Sequence, residues 1–213
     1  MRHAALLTML LVIVVGNSAE AQTCMGAPSF VDRPMQVGLA ASFIVDRHEV
    51  GGTFALGRQS LFGGGGATAT HLRFIGTSPT VSGIVGAEFP SSDHPVFTCP
   101  IFQAAFESGP VAEPFDLSTV GLRGGVSVGA IVAETHQAVK IIPTFGLAVL
   151  YDRTKLTLMT FENTITTWSG VATFGVGFLF NDRLSVIPAL EVPFSAGAAE
   201  TGFSFRWVYG FTR

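Results

Sequence analysis

Apolar and polar residues alternate along most of this chain, and the alternation is cleanest at its end. Residues 201–211 read T-G-F-S-F-R-W-V-Y-G-F, so Phe203, Phe205, Trp207, Tyr209 and Phe211 fill every second position, with Ser204, Arg206, Val208 and Gly210 between them. A strand sends successive side chains to opposite faces, which predicts a ribbon with one aromatic face and one small or polar face. Four upstream stretches share the period. In 184–194, Leu184, Val186, Leu190, Val192 and Phe194 oppose Ser185, Ile187, Ala189 and Glu191. In 164–180, Trp168, Ala172, Phe174, Val176, Phe178 and Phe180 oppose Thr167, Ser169, Thr173, Gly175 and Gly177. In 139–153, Val139, Ile141, Phe145, Leu147, Val149 and Tyr151 oppose Lys140, Thr144, Gly146, Ala148 and Asp152. In 117–134, Val120, Leu122, Val126, Val128 and Ala130 oppose Thr119, Gly121, Arg123, Gly125 and Ser127. Five such segments predict an all-β protein.

The first half is less regular. Strands are predicted over 35–45, 81–89 and 96–107. The stretch 50–57 is short, and 61–74 holds Gly63, Gly64, Gly65 and Gly66, which weaken a strand and often mark a bend or bulge. Counting both gives ten strands and setting them aside as an irregular hairpin gives eight; ten is preferred, and nine is disfavoured because single-chain barrels favour even numbers. Connection lengths add an independent constraint. Read backwards from the end, 195–200, 154–163 and 108–116 alternate with 181–183, 135–138 and 90–95, and each of the first set is longer than the members of the second beside it. Such alternation fits an up-and-down barrel with short inner turns and longer outer loops.

Composition selects between a soluble sheet and a membrane one. Only 13% of residues are charged, about half the usual share, and mean hydropathy is +0.49. No stretch beyond the first 21 residues approaches a spanning helix, so the apolar residues are spread through alternating strands, as a transmembrane barrel requires. Residues 1–21 read as a cleaved secretory signal: Arg2 and His3, an apolar run over 4–15, then Ala19-Glu20-Ala21. The expected organisation is a signal over 1–21, a periplasmic tail over 22–33 and an outer-membrane barrel over 34–213. A net charge of −3 without a basic cluster excludes nucleic acid as a partner.

Two cysteines in an exported chain, Cys24 and Cys99, favour a disulfide between them, with two free buried thiols as the alternative. Thr23 stands where a lipidation site needs a small residue ahead of the cysteine. By register Cys99 points inward near the inner side, where the tail bearing Cys24 can reach it, so the bond would pin 22–33 at the inner mouth as a partial plug. The same registers send Arg123, Arg206, Glu191, Glu88, Lys140, His71 and Arg73 into the lumen, where unpaired charge is costly; Arg206 with Glu191 is the expected pair. Tyr151, Trp168 and Phe180, together with Phe211, suit interfacial girdles. For catalysis the chain offers little. His48, His71, His94 and His136 are scattered, with His48 expected in an outer loop and His136 in an inner turn, and 63–66 lacks the Lys-Ser/Thr of a phosphate loop. No cofactor or metal site is expected.

With its signal segment, alternating strands, short inner turns and final F-x-F-x-W-x-Y-x-F, the chain resembles small bacterial outer-membrane β-barrels of the OmpA-domain, OmpX and OmpW-like group. The resemblance covers nearly all of 34–211 and is one of pattern. It implies a location in the outer membrane, contact with membrane lipid, a monomer, and a terminal strand, Phe203 to Phe211, read by the barrel-assembly machinery; Thr212 and Arg213 after the last aromatic depart from that signal. It implies a structural or surface-interaction role without catalysis. The alternatives are a narrow conduit for small or hydrophobic solutes and a secreted soluble barrel that binds a ligand inside.

Overall fold

A computed structural model of the chain describes residues 24–73, 76–91, 96–109, 115–134, 139–158, 161–195 and 200–212. The signal segment, His94 and His136 lie outside the described residues.

Ten long antiparallel strands form one closed ring: β1 (Met35–Ile44), β2 (Arg47–Arg58), β3 (Leu61–Leu72), β4 (Gly76–Ala87), β6 (Val96–Ser108), β7 (Phe115–Ala130), β9 (Val139–Leu158), β10 (Phe161–Phe180), β11 (Leu184–Pro193) and β12 (Gly202–Phe211). The two-residue strands β5 (Phe89–Pro90) and β8 (Ala133–Glu134) pair with β6 and β9. Each long strand pairs with its neighbours in sequence, and β12 closes on β1 through a register running from Met35 opposite Phe211 to Phe43 opposite Phe203. Closure leaves every strand partnered over most of its length, the condition for crossing a bilayer without exposed backbone groups. The ring end that holds the start of β1 and the end of β12 is called the near end, and the opposite one the far end.

Alternation decides which face is which. Leu39, Phe54, Val85, Phe102, Val126, Leu147, Phe174, Leu190, Phe203 and Trp207 are exposed on the outer surface. Residues of the opposite parity on the same strands, among them Gln36, Ser127, Lys140, Ser169 and Ser185, are buried within the ring. A soluble protein would bury the first set and expose the second. The inverted pattern is that of a barrel solvated by lipid.

Three features differ from the sequence reading. First, β3 runs unbroken through Gly63–Gly66, with each glycine paired to both neighbouring strands. A Cβ on Gly64 would collide with the Phe54 carbonyl, and one on Gly66 would meet the Gly52 carbonyl at 2.8 Å, so these inward glycines permit tight curvature instead of breaking the strand. Second, β9 and β10 each span 20 residues and pair from Phe161 opposite Leu158 onward, so most of the expected loop 154–163 is strand. Beyond the bilayer an outward face need not be apolar, and Lys155, Thr164 and Thr166 therefore do not end the ladder. Third, the far connections 45–46 and 159–160 are two residues each while the near connection 88–95 is long, so the expected length rule does not hold around the ring as a whole.

At the near end, Asn181 and Asp182 both adopt positive φ (49° and 55°), and Arg183 N donates to Phe180 O at 3.0 Å. Asn and Asp tolerate this left-handed conformation better than most residues, which explains the tight β10–β11 turn.

Candidate functional site: a polar lumen with a filled mouth

The described stretch before β1 enters the ring. A short 3-10 turn, η1 (Cys24–Gly26), with Met25 and Gly26 at positive φ, leads into a coil that turns outward at Pro34. Residues 26–30 are buried. Polar contacts fasten them to walls on several sides. Ser29 Oγ and Phe30 N donate to Glu88 Oε2 at 3.1 and 3.2 Å. Gln36 Nε2 donates to Pro28 O at 2.5 Å, Ser185 Oγ to Gly26 O, Arg206 Nη2 to Met25 O at 3.2 Å, and Arg33 Nε to Asp182 O at 2.9 Å. Phe30 stacks on Phe62 of β3, and the two rings pack with Cys99 in a small apolar cluster.

Glycines on the inner wall make this fit possible. A Cβ on Gly57 would strike Phe30, one on Gly177 would strike Gly26, and one on Gly210 would meet Arg33 and Pro28. In each case the three nearest atoms belong to the inserted segment.

Cys99 is fully buried on the inner face of β6 and is disulfide-bonded; the sequence holds one other cysteine, Cys24.

Charged groups line the lumen in separate layers. Near the mouth, Lys140 Nζ lies 3.0 Å from Asp182 Oδ1. Further in, Arg123 Nη1 meets Glu191 Oε2 at 2.7 Å, and Thr173 Oγ1 accepts from Arg123 and donates to Glu191. The expected pairing of Arg206 with Glu191 is therefore replaced by Arg123 with Glu191, and the register supplies the reason. On β11 and β12, Ile187 stands opposite Arg206 and Glu191 opposite Gly202, an offset of four residues or about 13 Å at roughly 3.3 Å per residue.

The sequence reading missed a third layer at the far end. Arg47 contacts Glu49 Oε1 at 2.6 Å and Glu107 Oε2 at 3.0 Å, while Ser78 Oγ donates to Glu107 Oε1 at 2.5 Å. Extending the inward set of β6 by two positions beyond Ala105 would have reached Glu107. Arg47 and Glu49 were hidden because 46–49 read as a turn. His71 and Arg73 do not enter the lumen. His71 sits on the exposed face of β3, opposite His48, which opens β2 on the same face instead of lying in a loop. Arg73 has left the strand and lies 3.6 Å from Asp46 at the exposed rim.

Outside, Tyr151 and Trp168 pack with centroids 4.7 Å apart. Phe205 and Trp207 approach to 4.6 Å and Tyr209 and Phe211 to 4.9 Å, while Phe180 is exposed at the near end of β10. Among the described residues no three His, Cys, Asp or Glu side chains cluster to hold a metal.

An apolar, aromatic outer surface, a closed ring of ten strands and a charged interior define a small β-barrel of the bacterial outer-membrane type. No protein-family model matches the chain, and no curated protein does. Among solved structures it is similar to the beta domain of the Bordetella autotransporter Brka (11% identity, 83% of this chain and 98% of that one, TM-score 0.47). It is also similar to KdgM porin (6% identity, 83% and 99%, TM-score 0.40) and to Neisserial surface protein A, NspA (12% identity, 83% and 94%, TM-score 0.37).

Proposed function

We propose that this chain is an integral protein of the bacterial outer membrane whose role is structural or surface-directed, without catalysis, and that it stands in lipid as a monomer with its near end in the periplasm. The observation that carries this reading is the insertion of the segment before β1 into the near half of the lumen, where contacts with β1, β3, β11 and β12 oppose free passage. The tall far wall of β7, β9 and β10 supports a surface role, because strands of 16 and 20 residues exceed the roughly 9–11 that cross a bilayer. The aromatic edge of β12 suits recognition by the assembly machinery, and Tyr151, Trp168 and Phe180 suit the membrane interfaces.

The test is partitioning followed by conductance. Membranes from cells expressing the chain should retain it after carbonate extraction, and the detergent-folded protein should migrate faster on a gel when unheated. In planar bilayers the oxidised protein should be silent. Release by carbonate would overturn the membrane reading, and steady conductance would overturn the closed state.

A second reading, a conduit for small solutes, is favoured by one observation. Above the inserted segment, Thr53 points inward yet is exposed, and Arg123 and Glu191 keep about a third of their side-chain surface accessible (35% and 30%). The lumen is thus wet from the far side.

A further inference from the structure

We propose that the segment before β1 is a removable gate and that the disulfide at Cys99 is its latch, so that reduction opens the barrel. The inference rests on the outer-membrane reading and goes beyond it.

The segment adds no strand to the ring. Residues 24–34 take part in no strand pairing, and β1 begins only at Met35. It can therefore leave without breaking a ladder. Pro34 marks the hinge, with its carbonyl accepting from Gly57 N at 2.7 Å, and Pro28 and Pro34 limit the conformations the freed chain would sample.

The wall behind the segment is suited to water. Glu88, Gln36, Ser185 and Arg206 now spend their hydrogen bonds on its backbone and on Ser29. Once it departs they become a polar lining, which water satisfies at little cost. A wall built solely to be covered would be apolar. Around the segment these polar groups stand beside apolar ones, Phe62 and Cys99 at Phe30 and Ile187 at Gly26.

The latch follows from connectivity. The segment continues into β1 at one end. Cys99 lies on β6, across the ring, and Cys24 is the single other cysteine of the sequence. A bond between them fixes the segment at both ends, so its non-covalent contacts re-form as fast as they break. A dithiol reductant converts this disulfide to two thiols, giving up two electrons and two protons and closing to its own disulfide. The first end is then free, and only the hydrogen bonds and the Phe30–Phe62 stack hold the gate.

The experiment uses the mature chain folded oxidised in detergent and inserted in planar bilayers. Dithiothreitol is added on the near side, and both thiols are then counted by maleimide mass-tagging. Current should be absent before reduction and appear as discrete steps afterwards, with gel mobility still that of a folded barrel. Two variants separate latch from gate. Cys24→Ser with Cys99→Ser should conduct without reductant, and removal of residues 22–33 should conduct whatever the redox state. Current from the oxidised wild type would overturn the proposal. So would silence of the folded, reduced protein while the truncated chain conducts, which would leave a plug without redox control. Silence of every folded form would also overturn the gate while leaving the membrane assignment intact.

Discussion

Phe30 and Phe62 lie face to face, ring centroids 4.6 Å apart and planes within 8° of parallel. One belongs to the inserted segment and the other to β3, so the stack joins a piece of chain with no strand partners to the wall that surrounds it. Phe30→Ala should therefore loosen the segment far more than the ring. We expect accelerated proteolysis between residues 24 and 34 with the heat-modifiable band retained. Truncating a buried Phe typically costs about 3–5 kcal/mol, enough to shift the docked population. Equal protease resistance in variant and wild type would mean that the stack contributes little.

Gly57 and Gly177 give a complementary prediction. Added side chains there collide with Phe30 and Gly26 of the segment. Gly57→Val should expel the segment and raise its protease sensitivity, whereas Gly52→Ala, whose Cβ would have nothing nearer than 3.9 Å, should be silent. Gly64→Val faces the backbone of β2 and should reduce the folded fraction itself, read as loss of the fast-migrating band on an unheated gel.

Arg123 and Glu191 are coupled across the lumen. Arg123→Met should lower stability in urea unfolding from lipid vesicles, but by less than the roughly 3–5 kcal/mol lost when a fully buried pair is broken, because both side chains remain about a third exposed. Adding Glu191→Met should recover much of the loss. If the two single changes summed in the double variant, the contact would carry no coupling.

The outer face can be tested with a charge. Leu147 is exposed on the outer face, and Ala148 beside it faces the lumen. Leu147→Arg should cost about 2–4 kcal/mol if it lies near the bilayer midplane, with Ala148→Arg following a different course governed by packing inside the ring. Folding titrations into vesicles would read both, and a neutral Leu147→Arg would contradict lipid contact on β9.

Much of this architecture was legible from alternation alone because a barrel in lipid obeys one rule along every strand. The register of β12 follows directly from Phe203, Phe205, Trp207, Tyr209 and Phe211. The rule weakened where its cause is missing. Above the bilayer, Lys155 and Glu162 read as loop since nothing there demands an apolar face, although the backbone ladder continues. At Gly63–Gly66 the side chains carry no pattern, and only the crowding of neighbouring carbonyls explains the residues. The partner of Glu191 was not legible, because strands adjacent in sequence do not show how far across the lumen an arginine reaches. The glycines that receive the inserted segment gave no signal either, since their purpose lies in a contact with chain more than 20 residues away.

The inserted segment also has a mechanical consequence. It touches β1, β3, β11 and β12 through named side chains and the turn after β10 through Arg33. A hoop of strands ovalises readily when squeezed from two sides, because hinging at the ladders costs little. A spoke fixed to opposing arcs removes that mode at the end where it sits. The near rim is thereby made round and stiff, while the uneven far rim keeps its freedom to deform.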